Sequence, residues 1–189
     1  RMKRAFIEGK DLHATTATLL RGKEETGDVT PDERQLAKAV NFGVVYGQSP
    51  FGLAAGLGIS RQEAAAFIDN YFSRYHGVAD YLDRVLDDCR RSGYAETIRG
   101  RRRPIHGIRP EPNRQRNMAE RTAINSVIQG SAADLIKQAM IGVDGALKRE
   151  GHPGTMLLQI HDELVFEVPE SELESLVKLV RQEMESALD

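Results

Sequence analysis

The sequence predicts a mainly α fold with a small β component (α+β). Long segments carry apolar residues at helical spacing, and three of them begin with a capping box, at Thr30, Ser60 and Ser171. Only residues 94–105 and 155–169 have short apolar runs on either side of a turn, as β-hairpins do. The 189 residues, 40% of them hydrophobic, are enough for one globular domain with a substantial core.

The composition narrows the class of protein. Cys89 is the single cysteine, which excludes an internal disulfide and fits a reducing compartment. The chain has no apolar run of membrane length and no signal-peptide pattern. We therefore expect a cytoplasmic protein without a membrane partner.

The charge is distributed unevenly. The formal net charge of −2 argues against a simple nucleic-acid binder, but residues 99–121 contain eight arginines and two acids. Residues 162–189 contain nine acids and two basic residues. This pattern predicts a basic track for phosphates beside an acidic region. For the acidic residues after Pro169 we favour a different interpretation, in which they form the solvated face of a helix.

The first segment is predicted to be helical with a break near Gly9, after which Asp11 is a candidate N-cap. His13 follows it and has two interpretations, a local hydrogen-bonding group at the helix start or a contact to a ligand. Residues 21–29 are predicted to form a charged loop.

A stripe of cations and rings marks residues 30–47. Its members recur every four residues, so they lie along one line of a helix, roughly 18 Å long: Arg34, Lys38, Phe42 and Tyr46. Thr30, Pro31 and Glu33 supply an N-cap, a first-turn proline and a capping box. The stripe would suit a nucleoside triphosphate, with cations on the phosphates and a ring near the sugar. The alternative is a surface helix with solvated cations and rings that anchor the core.

Further helices should follow. A glycine-rich turn and a short helix are predicted after Gly47. The next helix should begin at Ser60, with Glu63 closing its capping box, and the helix after it should end at Gly93. The apolar residues of the last two helices are predicted to be core: Phe67, Ile68, Tyr71, Phe72, Tyr81, Leu82, Val85, Leu86 and Cys89.

Residues 94–105 are predicted to form a small hairpin around Arg99 and Gly100. Strand alternation sends Arg101 and Arg103 to one face and Arg102 to the other. Such side chains would contact DNA phosphates without reading sequence. The alternative is a solvated basic loop.

The longest predicted helix covers residues 113–150, with a joint at Gly130 where Ser131 and Asp134 recap the second half. Before the joint, three polar side chains stand four residues apart and share a face: Arg121, Asn125 and Gln129. They could donate to the acceptors that every base pair offers in the minor groove. The alternative is a polar face with internal hydrogen bonds.

The second hairpin is predicted from two apolar runs around His161, Asp162 and Glu163. Its strands, residues 156–160 and 164–168, should be buried. Two adjacent carboxylates at a turn are costly unless a cation is bound, and oxygen ligands suit Mg²⁺. Acidic residues are also common in turns. The helix that follows should pack behind the hairpin through Leu173, Leu176, Val177, Val180 and Met184.

Three of these segments resemble motifs of family A (DNA polymerase I-like) DNA polymerases. RxxxKxxxNFGxxYG at 34–47 is similar to the nucleotide-binding helix of the fingers, and QIHDELVFEVP at 159–169 to the catalytic palm hairpin. ERTAINSVIQGSAADLIK at 120–137 lies between them. The resemblance implies fingers helices plus a palm β-hairpin, with residues 1–112 as a fingers subdomain and 113–189 as a partial palm.

The resemblance implies a DNA-directed DNA polymerase, a nucleotidyltransferase that adds dNTPs to a primer 3′-OH and releases pyrophosphate. Its two-metal mechanism uses Mg²⁺. Asp162 would be a metal-binding catalytic carboxylate, Glu163 an auxiliary one, and His161 a contact to the primer end or the hairpin backbone.

The resemblance also assigns the stripe. Arg34, Lys38 and the histidine of the DxH segment, His13, would bind the triphosphate. Phe42 would stack on the sugar and base, and Tyr46 would lie where the templating base enters. Phenylalanine at position 42 implies discrimination against dideoxynucleotides.

The chain departs from the family pattern by what it lacks. A DYSxIELR-type segment with a second catalytic aspartate would precede Arg1, and the family's final strand would follow Asp189. We therefore expect a fragment, without thumb or exonuclease regions, that is a monomer and does not polymerise alone. Two other hypotheses remain, a non-catalytic DNA-binding module using the 99–121 track and a single-subunit RNA polymerase. The turn at 161–163 and the motif at 120–137 favour the DNA enzyme.

Overall fold

The computed structural model describes residues 2–20, 29–109 and 116–188. Its helices and strands, in chain order, are α1 (Met2–Ile7), α2 (Leu12–Leu20), α3 (Pro31–Val45), α4 (Pro50–Leu57), α5 (Arg61–Arg74), α6 (His76–Ser92), β1 (Tyr94–Glu96), β2 (Arg102–Pro104), α7 (Arg116–Glu150), β3 (Thr155–Ile160), β4 (Glu163–Glu167) and α8 (Leu173–Glu185). A mainly α fold with two small hairpins is therefore confirmed. The predicted loop at 21–28 and the predicted helix start at 113–115 lie outside the described residues.

Local capping signals place most helix ends where the sequence predicts them. Thr30 and Ser60 each accept a hydrogen bond from the backbone N–H three residues on, and Glu33 and Glu63 complete the two capping boxes. Asp11 caps α2, because its Oδ1 accepts from the backbone N–H groups of His13 and Ala14 at 2.8 and 2.9 Å.

The chain divides into two compact units, and the first comprises residues 1–96 and 102–127. One core cluster lies among α3, α4 and α5 and includes Val40, Leu53 and Tyr71. A second joins α6, the β1–β2 hairpin and the start of α7 through buried residues that include Cys89, Ala95 and Ala123. Tyr81 is 42% exposed, so its prediction as core is wrong. Leu82, the next residue on α6, is buried as predicted.

The second unit comprises residues 97–101 and 128–189. Its core joins the later turns of α7 to α8 and consists of Val143, Ala146, Leu147, Leu176 and Leu179, with Phe166, Val168, Val180 and Met184 packed against it. Leu173 and Val177 on α8 are about half exposed, which corrects their prediction as packing residues. The α8 stripe is thus rotated toward Leu176 and Leu179.

The β3–β4 hairpin is confirmed, but its predicted burial is wrong. The strands pair antiparallel with Ile160 opposite Glu163, and the register shifts between Met156 and Leu158. Leu157, Leu158 and Ile160 are each about half exposed. A two-stranded sheet has two faces, and only β4 contributes residues to the α8 core.

The predicted joint at Gly130 is absent, since α7 is continuous there. Glycine serves packing at this position: a Cβ would lie 2.6 Å from Cγ2 of Thr97. Ser131 does not recap a helix, because its Oγ accepts the backbone N–H of Ile98 at 3.1 Å. Asp134 is buried and forms an ion pair with Arg101.

The predicted capping box at Ser171 is also wrong. Residues Glu170–Glu172 form a 3₁₀ turn, and α8 begins only at Leu173 with no side-chain cap hydrogen bond. Pro169, at φ −57° and ψ 141°, precedes this tighter turn, and the α-helix begins one residue later than an N-cap at Ser171 would place it. Among the described residues, no helix has the length and apolar content needed to cross a membrane.

Candidate nucleotide and nucleic-acid site

Helix α3 presents the first three members of its stripe to solvent, and the fourth, Tyr46, is half-buried. Arg34 and Lys38 are exposed, and Phe42 is 47% exposed with its ring stacked on that of Tyr46, at 6.1 Å between centroids and 11° between planes. The buried face of the same helix is formed by other residues, Ala37, Val40 and Val44. Phe42 is therefore not a core anchor. The alternative interpretation, in which both rings anchor the helix to the core, is wrong for Phe42.

Helix α2 packs on α3 and places His13 beside the stripe. The His13 and Phe42 ring centroids are 5.9 Å apart, tilted by 44°. Nδ2 of Asn41 donates to Nδ1 of His13 at 2.9 Å. Four side chains predicted to contact a nucleotide thus lie on one face of α2 and α3: His13, Arg34, Lys38 and Phe42. His13 and Asn41, which join the two helices here, are 28 residues apart in the sequence.

Asp11 connects the two helices electrostatically. One carboxylate oxygen caps α2, and the other accepts from Nε of Arg34 at 2.7 Å. The hydrogen bond from the Ala14 N–H, followed by that from Arg34, holds the pKa of the Asp11 carboxyl below its usual value, although burial opposes this. Both partners of the ion pair are about 40% exposed or more, so it contributes about 0–1 kcal/mol to stability.

The environment of His13 disfavours its charged form. Burial lowers the pKa of the imidazole, and the nearby cations of Arg34 and Lys38 lower it further, while Asp11 acts in the opposite direction. The neutral ring has one N–H donor and one acceptor nitrogen. Near neutral pH the face therefore offers two fixed cations and a neutral histidine.

The end of α3 meets the start of α7 within the first unit. Gly47 has φ +66°, and a Cβ there would lie 3.3 Å from Cγ of Arg121. The left-handed backbone favours glycine here, and any larger residue would also press on the Arg121 side chain. Residues from α4, α6 and α7 line a cleft beside this contact: Gly47, Ser49, Pro50, Leu86, Met118, Glu120, Arg121, Thr122, Ile124 and Asn125.

The predicted minor-groove residues lie on α7. Arg121 and Gln129 are exposed, and Asn125 is half-buried with its Oδ1 shielded from solvent and without a hydrogen-bond partner among the described residues. A buried acceptor left unpaired costs about 1–3 kcal/mol. The unpaired atom is an acceptor, so a hydrogen bond from Asn125 to a minor-groove acceptor would come from its amide nitrogen.

The three consecutive arginines have different partners. Arg102 pairs with Glu96 at 2.7 Å and lies over the Tyr94 ring, 4.7 Å from its centroid. Nη1 of Arg103 donates to Oγ of Ser126 at 3.0 Å. Arg101 pairs with the buried carboxylate of Asp134, whose pKa is lowered by a hydrogen bond from Thr97 and by this guanidinium.

The tip of the β3–β4 hairpin carries the predicted metal ligands. His161, Asp162 and Glu163 are all exposed, and His161 has φ +54°. A left-handed conformation is uncommon for residues other than glycine, although asparagine, aspartate and histidine adopt it more often than most, and such residues cluster at functional sites. Nε2 of Gln159 donates to the His161 carbonyl at 2.6 Å and supports this turn.

The donor set at the tip fits Mg²⁺ in chemistry but is incomplete in number. Asp162 and Glu163 supply carboxylate oxygens, the ligands that a hard cation prefers. No cluster of three or more metal-ligating side chains occurs anywhere in the ranges 2–20, 29–109 and 116–188. A magnesium site built on this hairpin therefore needs further ligands from water, substrate or other residues.

Sequence reasoning missed two polar residues of the α2–α3 face. Asp11 was interpreted only as a cap, and Asn41 was part of a motif without a role of its own. Asn41 is nevertheless a buried polar residue within an otherwise apolar helix face, at 5% exposure. Its position directly before Phe42 is the signal from which a function could have been inferred.

Comparisons with known proteins show the family to which the chain belongs. The model of DNA polymerase family A matches residues 1–189. The chain is 54% identical to DNA polymerase I of Streptococcus pneumoniae serotype 4 over 185 residues, which is 98% of the chain and 21% of that protein. Its identity to DNA polymerase I of Geobacillus stearothermophilus is 46%, with 97% and 21% covered.

A solved structure is similar in fold as well. The POL domain of Pol1 from M. smegmatis, in complex with DNA primer-template and dNTP, superposes with a TM-score of 0.92 at 46% identity. The match covers 100% of this chain and 33% of that one. The chain thus spans about a fifth of the length of the curated relatives that it matches.

Proposed function

Because this chain belongs to DNA polymerase family A, we propose that it forms the nucleotide-binding helices and one metal-binding hairpin of a template-directed DNA polymerase. The proposed reaction joins a dNTP to a primer 3′-OH and releases pyrophosphate. Its partners are dNTPs and primer–template DNA, and the chain acts as a monomer. The observation that carries the proposal is the meeting of His13, Arg34, Lys38 and Phe42 on one exposed face of α2 and α3.

The α2–α3 face would bind the incoming nucleotide by charge and shape. Lys38 supplies a compact charge for phosphate oxygens, and Arg34 supplies a planar guanidinium that can bind two oxygens at once. Negative charge that develops on the leaving pyrophosphate is stabilised by the same cations. The exposed ring of Phe42 would stack on the sugar and base, and Tyr46, stacked on Phe42, would border the place of the templating base.

The hairpin tip would hold the metal. Asp162 is the proposed catalytic ligand and Glu163 the auxiliary one, and Mg²⁺ bound there supplies charge stabilisation for phosphoryl transfer. His161 is proposed to contact the primer end. Since two carboxylates are an incomplete ligand set, we propose that these 189 residues alone do not extend a primer.

The DNA contacts are assigned to α7 and the β1–β2 hairpin. Arg121, Asn125 and Gln129 would face the minor groove, where purine N3 and pyrimidine O2 accept hydrogen bonds in every base pair. Arg103, which is exposed, and Arg101 would contact phosphates. Arg101 would share its guanidinium between DNA and Asp134.

Nucleotide binding is tested by titrating the chain with a fluorescent dATP analogue. Lys38→Ala removes one phosphate contact, and a charge-assisted hydrogen bond is worth about 1.5–3 kcal/mol, so affinity should fall tenfold or more. Lys148→Ala is the matched control, since Lys148 pairs with Asp144 at 2.7 Å in the second unit. Equal affinities for native chain and Lys38→Ala, both folded, would exclude the assignment of α3.

Catalysis is tested in a chimaera. The 189 residues replace the matching segment of Streptococcus pneumoniae DNA polymerase I, and primer extension is compared with that of the same chimaera carrying Asp162→Ala. Extension that the substitution abolishes supports both the polymerase and the metal role. A chimaera that binds primer–template but extends nothing, with or without the substitution, favours a DNA-binding module.

A further inference from the structure

A buried polar chain lies behind the nucleotide-binding face. Thr16 is 1% and Asn41 5% exposed, and Oγ1 of Thr16 donates to Oδ1 of Asn41 at 3.1 Å. The hydroxyl of Tyr75 lies 3.4 Å from the same Thr16 oxygen. Buried polar groups are costly unless they form hydrogen bonds. Here the hydrogen bonds run from Tyr75 through Thr16 and Asn41 to His13.

The pairing fixes which nitrogen of His13 carries the proton. Because Oδ1 of Asn41 accepts from Thr16, the amide nitrogen Nδ2 faces His13 and donates to its Nδ1. An Nδ1 that accepts a hydrogen bond cannot itself be protonated, so the proton of the neutral ring is on Nε2. With Asn41 in this orientation, the amide hydrogen bond to Nδ1 leaves the proton of the neutral His13 ring on Nε2.

We propose that Asn41, backed by Thr16, is a positioning residue that holds the neutral His13 ring with its Nε2–H directed to an incoming triphosphate. This inference rests on the proposed function, because the phosphate acceptor is the nucleotide. In the other tautomer Nε2 would present a lone pair to a phosphate oxygen, which repels. Asn41 therefore acts through His13 and makes no contact with substrate itself.

The charged groups around His13 are consistent with this role. Asp11 at the start of α2 and the cations of Arg34 and Lys38 on α3 face the ring, and the Tyr75 hydroxyl lies behind Thr16. Burial and the two cations lower the pKa of His13, which favours the neutral ring that Asn41 orients. Protonation of Nδ1 would require the Asn41 amide to turn over, so that Oδ1 faces His13 and Nδ2 faces Thr16.

The first test is spectroscopic and needs no nucleotide. Long-range ¹H–¹⁵N correlation NMR of the native chain reports the tautomer of each imidazole, with the His13 signal assigned from its loss in His13→Gln. We expect a single Nε2–H tautomer for His13. In Asn41→Leu and in Thr16→Val, the Nδ1–H tautomer should become populated. A native His13 found as Nδ1–H or as a mixture, or a tautomer unchanged in both variants, overturns the proposal.

The second test is a double-substitution cycle on dATP affinity. His13→Gln and Asn41→Leu should each weaken binding about tenfold, the loss expected for one hydrogen bond to a charged group. The doubly substituted chain should bind no more weakly than His13→Gln, because Asn41 acts only through that ring. Independent, multiplied losses would mean a merely structural role and contradict the proposal.

Two variants at Thr16 guard against misfolding of Asn41→Leu. Thr16→Val removes the hydroxyl and should weaken dATP binding toward the level of His13→Gln. Thr16→Ser keeps the hydroxyl and should bind dATP with the affinity of the native chain. Equal affinities for these two variants count against the proposal. If the native chain does not bind dATP, the proposed function fails, and the NMR tautomer still decides whether Asn41 orients His13.

Discussion

At the scale of single residues, the α2–α3 face depends on side chains that are distant in sequence. Asp11 lies 23 residues from Arg34, and His13 lies 28 residues from Asn41. The ion pair joins Asp11, the cap of α2, to the cation of Arg34 on α3. The hydrogen bond joins the buried amide of Asn41 to His13. His13 is the member of this face that is neutral near pH 7 and becomes charged only in acid, because burial and the cations of Arg34 and Lys38 lower its pKa.

His13 should make the chain less stable in acid. Its pKa is lower in the folded chain than in the unfolded chain, so the unfolded chain binds more protons as the pH falls. Stability should begin to fall as the pH drops through the unfolded value near 6.5, and the loss is complete below the folded value. Urea unfolding at pH 7.5 and pH 5.0 measures the change. The loss should be smaller in His13→Gln, and a loss equal to that of the native chain would contradict the assigned cause.

The motif residues were found from the sequence, but the contacts that orient them were not. Arg34, Lys38, Phe42 and Tyr46 share a line because helix geometry alone puts them there. The roles of Asp11 and Asn41 depend on how α2 packs against α3, which no local pattern specifies. The interpretation of Asp11 as a cap was correct and incomplete, since its second oxygen binds Arg34.

At the scale of helices and strands, local signals were reliable where only the backbone decides. The capping boxes at Thr30 and Ser60 and the left-handed glycine after α6, Gly93 at φ +86°, are confirmed. The predictions at Gly130 and Ser171 are wrong because other contacts decide there. Thr97 occupies the space beside Gly130, and a 3₁₀ turn after Pro169 displaces the start of α8.

Gly47 should be the most sensitive glycine beside the site. In Gly47→Ala the left-handed backbone costs about 1–2 kcal/mol, and crowding against Cγ of Arg121 adds to this. Gly58→Ala is the matched control, since its φ of +67° is similar and nothing lies within 4 Å of the new Cβ. Urea unfolding should give a larger loss for Gly47→Ala. Equal losses would mean that Arg121 yields without cost.

Gly130→Ala should destabilise the second unit, although alanine favours helices. The gain of about 1 kcal/mol in helix propensity is outweighed by overpacking against Cγ2 of Thr97, which costs about 1–3 kcal/mol. Thr97→Ser removes that methyl group and keeps the hydroxyl, so the doubly substituted chain should regain native stability or exceed it.

Gly145→Ala on the same helix is the control for Gly130→Ala. The nearest atom to its new Cβ is the flexible guanidinium end of Arg149, at 3.4 Å, so thermal unfolding should show stabilisation by up to about 1 kcal/mol. A stabilising Gly130→Ala would instead mean that Thr97 yields at little cost, and it would contradict the predicted overpacking.

At the scale of the whole chain, the sequence predicted the fold class but not the exposure of the hairpin. A continuous apolar run such as residues 156–160 is typical of a strand buried on both faces. In the structure only one strand of the β3–β4 sheet packs against α8, and Leu157 is 52% exposed. Strand burial depends on what lies on each face of a sheet, and the sequence of the strand itself does not contain that information.

The two compact units have different proposed tasks. The first unit contains the α2–α3 face with Arg121 and Asn125, and the second contains the hairpin with Asp162 and Glu163. The residues proposed to bind nucleotide all lie in the first unit, so the proposed nucleotide binding can be measured separately from the proposed metal binding.

Backbone amide NMR during titration with dATP tests most directly whether the α2–α3 face binds nucleotide. We predict that the largest shift changes fall within residues 11–16 and 30–47, and that Lys38→Ala reduces them at equal dATP concentration. Tripolyphosphate should shift the amides near Arg34 and Lys38 but not those near Tyr46. Changes concentrated in the β3–β4 hairpin, or no changes at millimolar dATP in a folded chain, would contradict nucleotide binding at this face.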